Sequence, residues 1–205
     1  MVDKFLKAKH WQLFFLMIGV PVGSFLTLIA IIFSSIKEGT PPEPEKILLV
    51  FKVFPFIIVG FASLIFSWFW SVALGLQNAV PTNLQMKTTK FKVFSLIPLV
   101  FITVLGVVMF VTINNIKPNE FRFPSEWIAP IIFTLQAFSV FGIFYSMYFA
   151  AKTLKTVELQ REVKFSDFAS EFFMFWFFPV GIWILQPRIN KVNEENTAAE
   201  NMHEE

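Results

Sequence analysis

Residues 127–151 read WIAPIIFTLQAFSVFGIFYSMYFAA, a run without a single charged side chain. About 20 helical residues cross the ~30 Å hydrocarbon core of a bilayer, so a run of this length predicts a transmembrane helix. Eleven of its residues are Ile, Leu, Val or Phe. Each of these favours insertion by roughly 0.3–0.6 kcal/mol, which together amounts to about 3–7 kcal/mol before polar costs.

Three further charge-free runs, at 11–36, 53–77 and 93–115, have the same character. We therefore predict an all-α integral membrane protein, with a four-span transmembrane helical bundle over residues 1–151. The composition agrees, because 55% of the residues are apolar and only 16% are charged, against about 45–50% and 25% in soluble domains. The first run is too long for the core of a signal peptide, and we expect it to be retained.

The distribution of Lys and Arg predicts the topology. With the N-terminus inside, the inner segments hold twelve of these residues and the outer loops hold five. The positive-inside rule then puts both termini in the cytoplasm and the chain in the inner (plasma) membrane. Fourteen Lys against three Arg, beside 29 Phe, is a composition that favours a bacterial source.

The chain after the fourth run divides into two segments. Residues 152–190 are expected to form a cytoplasmic helix extension and a membrane-associated aromatic segment, whose residues 172–187 read FFMFWFFPVGIWILQP. Sixteen residues span about 24 Å as a helix, which is less than the hydrocarbon core, and Pro179 and Gly181 interrupt them. An interfacial, amphipathic or re-entrant hairpin is therefore favoured over a fifth span or docking into a partner subunit. Residues 191–205 are predicted to be a disordered acidic tail.

Tryptophan and basic side chains are expected to mark the membrane interface. Indole rings prefer headgroup depth, and Lys or Arg beside them can meet anionic lipid. The predicted interface residues are Trp11, Trp127, Trp176, Trp183, Arg188 and Lys191.

Small residues recur at four-residue spacing on three of the predicted spans. Such faces let the backbones of neighbouring helices approach closely. Packing within the bundle is the favoured interpretation, and dimerisation through one of the faces is the alternative. The residues are Gly19 and Gly23 on the first span, Ser63, Ser67, Ser71 and Gly75 on the second, and Gly142 and Ser146 on the fourth.

Gln136 is a polar residue near the middle of the fourth predicted span. An amide in hydrocarbon needs a hydrogen-bond partner, and we expect one on another helix, worth ~0.6–2 kcal/mol. The alternative is that Gln136 lines a path for a solute.

The predicted spans contain no Asp, Glu, Lys, Arg or His, which argues against transport coupled to protons or ions. The chain has no Cys and only two His, so we expect no metal site, no catalytic residue and no cofactor. A net charge of +2 argues against nucleic acid as a partner. Four carboxylates beside Lys and Arg are interpreted as belonging to solvated, salt-bridged helices: Glu158, Glu162, Asp167 and Glu171.

These features favour a non-catalytic multi-pass membrane protein that acts as an accessory or structural subunit of a bacterial membrane assembly. Its expected partners are the lipid bilayer and another membrane-protein subunit or a second copy of the chain. The alternative is a small transporter or channel-like protein for an uncharged or hydrophobic solute, which would use Gln136 and the small-residue faces.

Overall fold

The structure is a computed structural model that describes residues 2–34, 36, 44–115 and 128–204. The described residues form eight α-helices, a π turn at Phe15–Gly19 and a 3-10 turn at Gln77–Ala79, and they contain no strand. The helices are α1 (Val2–Lys7), α2 (His10–Phe14), α3 (Val20–Phe33), α4 (Pro44–Gly75), α5 (Thr88–Asn115), α6 (Ile128–Leu159), α7 (Phe165–Trp176) and α8 (Phe178–Glu204).

Four helices are long and apolar enough to cross a membrane, which confirms that part of the prediction. These candidate spans are His10–Phe33, Glu45–Ala79, Thr88–Asn115 and Ala129–Leu159. Each of the last three extends past its charge-free run into polar sequence. In particular, α6 continues through residue 151 to Leu159, so no break separates the predicted bundle from the predicted helix extension.

The first candidate span contains a widened turn that follows from one proline. The amide of Val20 donates to the carbonyl of Phe15, five residues earlier, instead of four. Pro21 has no N–H to give, so it removes one donor from the regular ladder at this point. A π turn is one of the ways in which a helix accommodates such a loss.

Helices α4, α5 and α6 pack as antiparallel neighbours. Along α4 and α5, a Cβ on Gly106 would lie 3.1 Å from the side chain of Val59, and Trp70 Nε1 donates to Ser95 Oγ at 2.7 Å. Residue numbers rise along one helix as they fall along the other, as the antiparallel direction requires. Helix α6 then packs against α5 on its other face, and α4 also contacts α6.

Helices α7 and α8 form a hairpin that packs against the bundle with one side exposed. Helix α7 returns along α6, where the ring of Trp176 lies 5.0 Å from that of Phe144. The chain reverses at Phe177, and Gly181 on α8 is so close to Met174 on α7 that a Cβ would clash with its carbonyl oxygen. Because glycine has no Cβ, the two arms can approach to this distance.

The tip of this hairpin lies halfway along the candidate spans. The ring of Phe178 is 5.7 Å from Phe61, near the middle of α4, and Phe144 is near the middle of α6. The aromatic segment reverses at Phe177, and the predicted interrupters Pro179 and Gly181 both lie within α8, with Pro179 in its first turn, where its missing N–H costs little. The returning arm belongs to the core, since three of its side chains are fully buried: Ile182, Leu185 and Ile189.

The tail differs from the prediction of disorder. Helix α8 continues past Pro187 and includes the residues up to Glu204. The tail composition of Glu, Asn and Ala has no apolar period, which suggested irregular chain. Glu and Ala are nevertheless good helix formers, and the buried arm that precedes them supplies a helix to extend.

Candidate functional site

A buried amide joins the two ends of the chain. Gln186 on α8 is fully buried, and its Oε1 accepts a hydrogen bond from Trp68 Nε1 at 2.9 Å. Its Nε2 donates to the carbonyl oxygens of Phe5 at 2.8 Å and Ala8 at 3.0 Å, at the end of α1. Asn190, one turn later, donates to the carbonyl of Ala8 at 3.1 Å. We call Trp68, Gln186, Asn190 and the two carbonyl groups the amide junction.

The amide junction satisfies backbone groups that a helix end leaves open. The last carbonyl groups of α1 have no partner within their own helix, and burial without a partner would destabilise the fold. Gln186 was not among the predicted site residues, because it lies within the uncharged aromatic segment. A polar amide in an otherwise apolar run was the available signal, as it was for Gln136.

A cluster of ion pairs holds the base of the hairpin. Arg188 on α8 donates through Nε to Glu158 Oε1 at 2.8 Å, and through Nη2 to Glu158 Oε2 and Glu171 Oε1, both at 2.6 Å. Lys155 Nζ lies 3.1 Å from Glu171 Oε1 and 3.5 Å from Glu158 Oε2. We call these four residues the ion-pair cluster, and it connects α6, α7 and α8.

The ion-pair cluster corrects the interpretation of the acidic residues. Glu162 is exposed, but the side chain of Glu171 is only 2% exposed and so is not solvated. Burial opposes ionisation of Glu171, but hydrogen bonds from Arg188, Ser170 and Lys155 outweigh it and lower its pKa to about 2. Hydrogen bonds and charge from Glu158 and Glu171 raise the pKa of Arg188.

The ion-pair cluster contains two basic and two acidic side chains, so it has no net charge. Two carboxylates face two cations, which is the arrangement that makes buried charge tolerable. A general base at neutral pH needs a pKa near the working pH, and that of Glu171 is far below it. The cluster is therefore suited to fixing helices rather than to moving protons.

Two of the predicted packing residues lie in a tight contact. A Cβ on Gly142 would lie 2.6 Å from the carbonyl oxygen of Phe94 and 2.9 Å from Pro98 Cδ, both on α5. Ser146 is fully buried and its hydroxyl donates to the carbonyl of Gly142 at 2.7 Å. This face of α6 therefore approaches the backbone of α5 directly.

The face predicted on the first candidate span is different. A Cβ on Gly23 would meet no atom of the other described elements within 4 Å, and the atoms nearest to a Cβ on Gly19 belong to the side chain of Phe15. Thr27 is exposed and donates to the carbonyl of Gly23. The prediction that this face packs within the bundle is wrong for Gly23, which is exposed on α3, whereas Gly19 lies in the π turn and is half-buried.

The small-residue stripe of α4 faces a groove rather than a tight contact. Ser63, Ser67 and Ser71 line a groove of about 300 Å³ whose other wall includes Leu96 on α5. The hydroxyls of Ser63 and Ser71 donate to main-chain carbonyls one turn earlier. Gly75, the last residue of α4, is half-buried and does not line this groove.

The surroundings of Gln136 differ from the prediction that its amide bonds to another helix. Its side chain is exposed on the outer surface of α6 and makes no hydrogen bond to another residue that the structure describes. It is also not among the residues of the serine-lined groove, so the features proposed for a solute path do not meet. The expected interhelical partner is absent because the first turns of α6 extend beyond the packed core.

The predicted interface residues have separate environments. Trp11 is exposed near the start of α2, and the ring of Trp183 lies 4.7 Å from that of His10 in a tilted arrangement. Trp176 is the last residue of α7 and lies at the hairpin tip, next to Phe144 of α6. Arg188 is held by carboxylates of this chain rather than free for lipid, whereas Lys191 is 77% exposed. Trp127 lies outside the described residues.

The described part of the chain has no group of three or more His, Asp or Glu that could hold a metal ion. Neither a protein-family model, nor a curated protein, nor a solved structure matches the chain. The fold and the site define a helical bundle with four helices long and apolar enough to span a membrane. Its C-terminal hairpin is tied to the N-terminus by the amide junction and to α6 by the ion-pair cluster.

Proposed function

We propose that this chain is a non-catalytic multi-pass membrane protein that serves as a structural subunit of a bacterial membrane assembly. In this proposal the four candidate spans cross the inner membrane and both termini lie in the cytoplasm. The hairpin of α7 and α8 enters the membrane from the cytoplasmic side and returns to it.

The exposed surface supports a location in the membrane. The outer halves of α5 and α6 expose Val104, Val107, Phe133 and Phe138, among many other large apolar side chains. A contiguous surface of this kind is a liability in water but matches the hydrocarbon of a bilayer. The amide junction supports a common side for the two termini, since it brings the C-terminal arm against the end of α1.

The exposed amide of Gln136 is the observation that carries the role of a subunit. Its neighbours Ile132, Phe133 and Leu135 are all exposed and apolar, so in a membrane this face of α6 would meet lipid tails. An amide without a partner in hydrocarbon costs several kcal/mol, on the order of 4 kcal/mol or more for transfer to an alkane. A polar group on a helix of a neighbouring subunit would remove that cost.

The ion-pair cluster supports a structural role in preference to an enzymatic one. Its charges are paired with one another, and each side chain is engaged in joining helices. Its acid Glu171 stays ionised at neutral pH, which leaves it without the proton that a general acid must give.

Photo-crosslinking tests the proposed interface. Benzoylphenylalanine in place of Phe133, which is exposed one turn before Gln136, should capture one defined partner, either a second copy of this chain or another membrane protein. The same group at Val104, exposed on α5, is the positional control.

A matched pair of substitutions then tests whether the amide itself matters. With the crosslinker at position 133, Gln136→Leu should weaken recovery of the crosslinked partner, because it removes the hydrogen-bonding group. Thr103→Leu should not, since the exposed hydroxyl of Thr103 is already bonded to the carbonyl of Leu99. Equal crosslinking from positions 133 and 104, or recovery unaffected by Gln136→Leu, would contradict the subunit role.

A further inference from the structure

An apolar cavity lies at the tip of the hairpin. It has a volume of about 320 Å³, is lined by residues of α4, α5, α6 and the turn between α7 and α8, and is partly open. Ala62, Ile102 and Ile143 form its walls, and Phe175 and Phe178 form its floor. At about 30 Å³ per water-sized group, the cavity has room for about ten such groups.

The chemistry of the lining excludes water. All thirteen lining residues are Ala, Ile, Met, Phe or Trp. A water molecule in a cavity needs two to four polar partners, and this lining offers at most one indole N–H. An empty space of this size would forfeit the dispersion contacts of its walls, so hydrocarbon is the occupant that its chemistry favours.

The position of the cavity follows from the length of the hairpin. The hairpin reaches only the level of Phe61 and Phe144, so the bundle beyond its tip lacks the packing that α7 and α8 provide below it. Ile102 and Ile143 lie near the middle of α5 and α6. In a bilayer this level is the depth at which acyl chains end.

The cavity has an edge on the outer surface of the bundle. Two of its lining residues, Ile58 and Trp176, are exposed, so a chain from the surrounding membrane could enter between α4 and the hairpin tip. We propose that this cavity binds the terminal part of one acyl chain of a membrane phospholipid. This inference rests on the proposed location of the protein in the membrane.

A photoreactive lipid tests the inference in vesicles that contain the full-length protein. The probe is phosphatidylcholine with a diazirine at the terminal carbon of one acyl chain, and its comparison carries the diazirine beside the ester. The terminal diazirine should label Ile143 and Met147 several-fold more than Val107, which is exposed on α5. The diazirine beside the ester should not show this preference, because the cavity lies at the depth of the chain ends.

Filling the cavity should abolish this preference. Ala62→Phe and Ile102→Phe each add a larger side chain to a wall of the cavity. Ile102→Phe serves for the labelling test if Ala62→Phe does not fold. Ala30→Phe, the same exchange at an exposed position of α3, should leave the labelling unchanged. The inference is overturned if labelling persists in a folded cavity-filling variant. It is also overturned if an isoprenoid, and not a phospholipid, is found tightly bound in the cavity.

Flotation separates this inference from the proposed function. If the protein floats with the vesicles and the cavity is labelled no more than Val107, the acyl-chain site is wrong while the membrane location stands. If the protein does not float with the vesicles, both proposals fail.

Discussion

Nη2 of Arg188 lies 2.6 Å from Oε1 of Glu171, although 17 residues and the hairpin tip separate them in the chain. The same nitrogen is 2.6 Å from Oε2 of Glu158. One guanidinium therefore fixes both arms of the hairpin to α6. Removing either end of this contact tests whether it holds the hairpin in place.

Arg188→Ala should lower the free energy of unfolding by about 3–5 kcal/mol, because it leaves Glu171 buried without its main partner. Thermal unfolding in a mild detergent measures the change. Lys191→Ala is the matched control, since Lys191 is exposed and its contact with Glu195 at 3.8 Å is worth well under about 1 kcal/mol. If both variants melt like the wild type, the ion-pair cluster does not hold the hairpin.

Acid should destabilise the fold through Glu171. Its carboxyl titrates at about 4.5 when unperturbed and has a pKa of about 2 in the folded protein. The stabilisation is therefore complete above about pH 4.5 and is lost as the pH falls toward 2. At about 1.4 kcal/mol per unit it amounts to at most about 3.5 kcal/mol. Glu171→Gln should show a smaller loss of melting temperature between pH 5 and pH 3 than the wild type, and an equal loss would contradict this assignment.

Gln186 and Gln136 should respond differently to the same exchange. Gln186→Leu leaves the indole of Trp68 and the carbonyl of Phe5 buried without this partner, so we expect a loss of at least about 2 kcal/mol. Gln136→Leu should leave melting in detergent unchanged, because its exposed amide has no partner among the described residues. A larger loss for Gln136 than for Gln186 would mean that the positions of the two amides are wrong.

Two glycine substitutions test which face of small residues packs. Gly142→Ala puts a methyl group against the backbone of α5 and should cost about 1–3 kcal/mol. Gly23→Ala has open space around it and should change stability by less than about 1 kcal/mol. Melting temperatures of the two variants in the same detergent check this, and a stable Gly142→Ala with an unstable Gly23→Ala would reverse the assignment.

The sequence was sufficient for the four long apolar helices, because length and apolarity act locally. It was insufficient for the sides that the helices present to one another. Gly23 and Gly142 have the same kind of spacing pattern, yet only Gly142 meets a neighbour. Which face turns inward depends on how many helices surround a given turn, and a one-dimensional pattern does not contain that information.

The polar residues show the same limit. Gln136 and Gln186 both interrupt apolar sequence, but the first is exposed and the second is fully buried. Likewise, the partners of Glu171 lie 16 and 17 residues away, on two other helices. A helical period can place Glu171 on a face of α7, but it cannot say that α8 returns to bring Arg188 against it.

The central claim is that the hairpin enters the membrane halfway and returns, so that both termini lie in the cytoplasm. Because the chain has no Cys, single cysteines at Asn196, Phe177 and Thr40 can be tested with a membrane-impermeant maleimide in cells. We expect position 196 to react only after permeabilisation, position 177 at the hairpin tip to stay unreactive, and position 40 to react in intact cells. Labelling of position 196 in intact cells would contradict the account, because α8 would then have to cross the membrane.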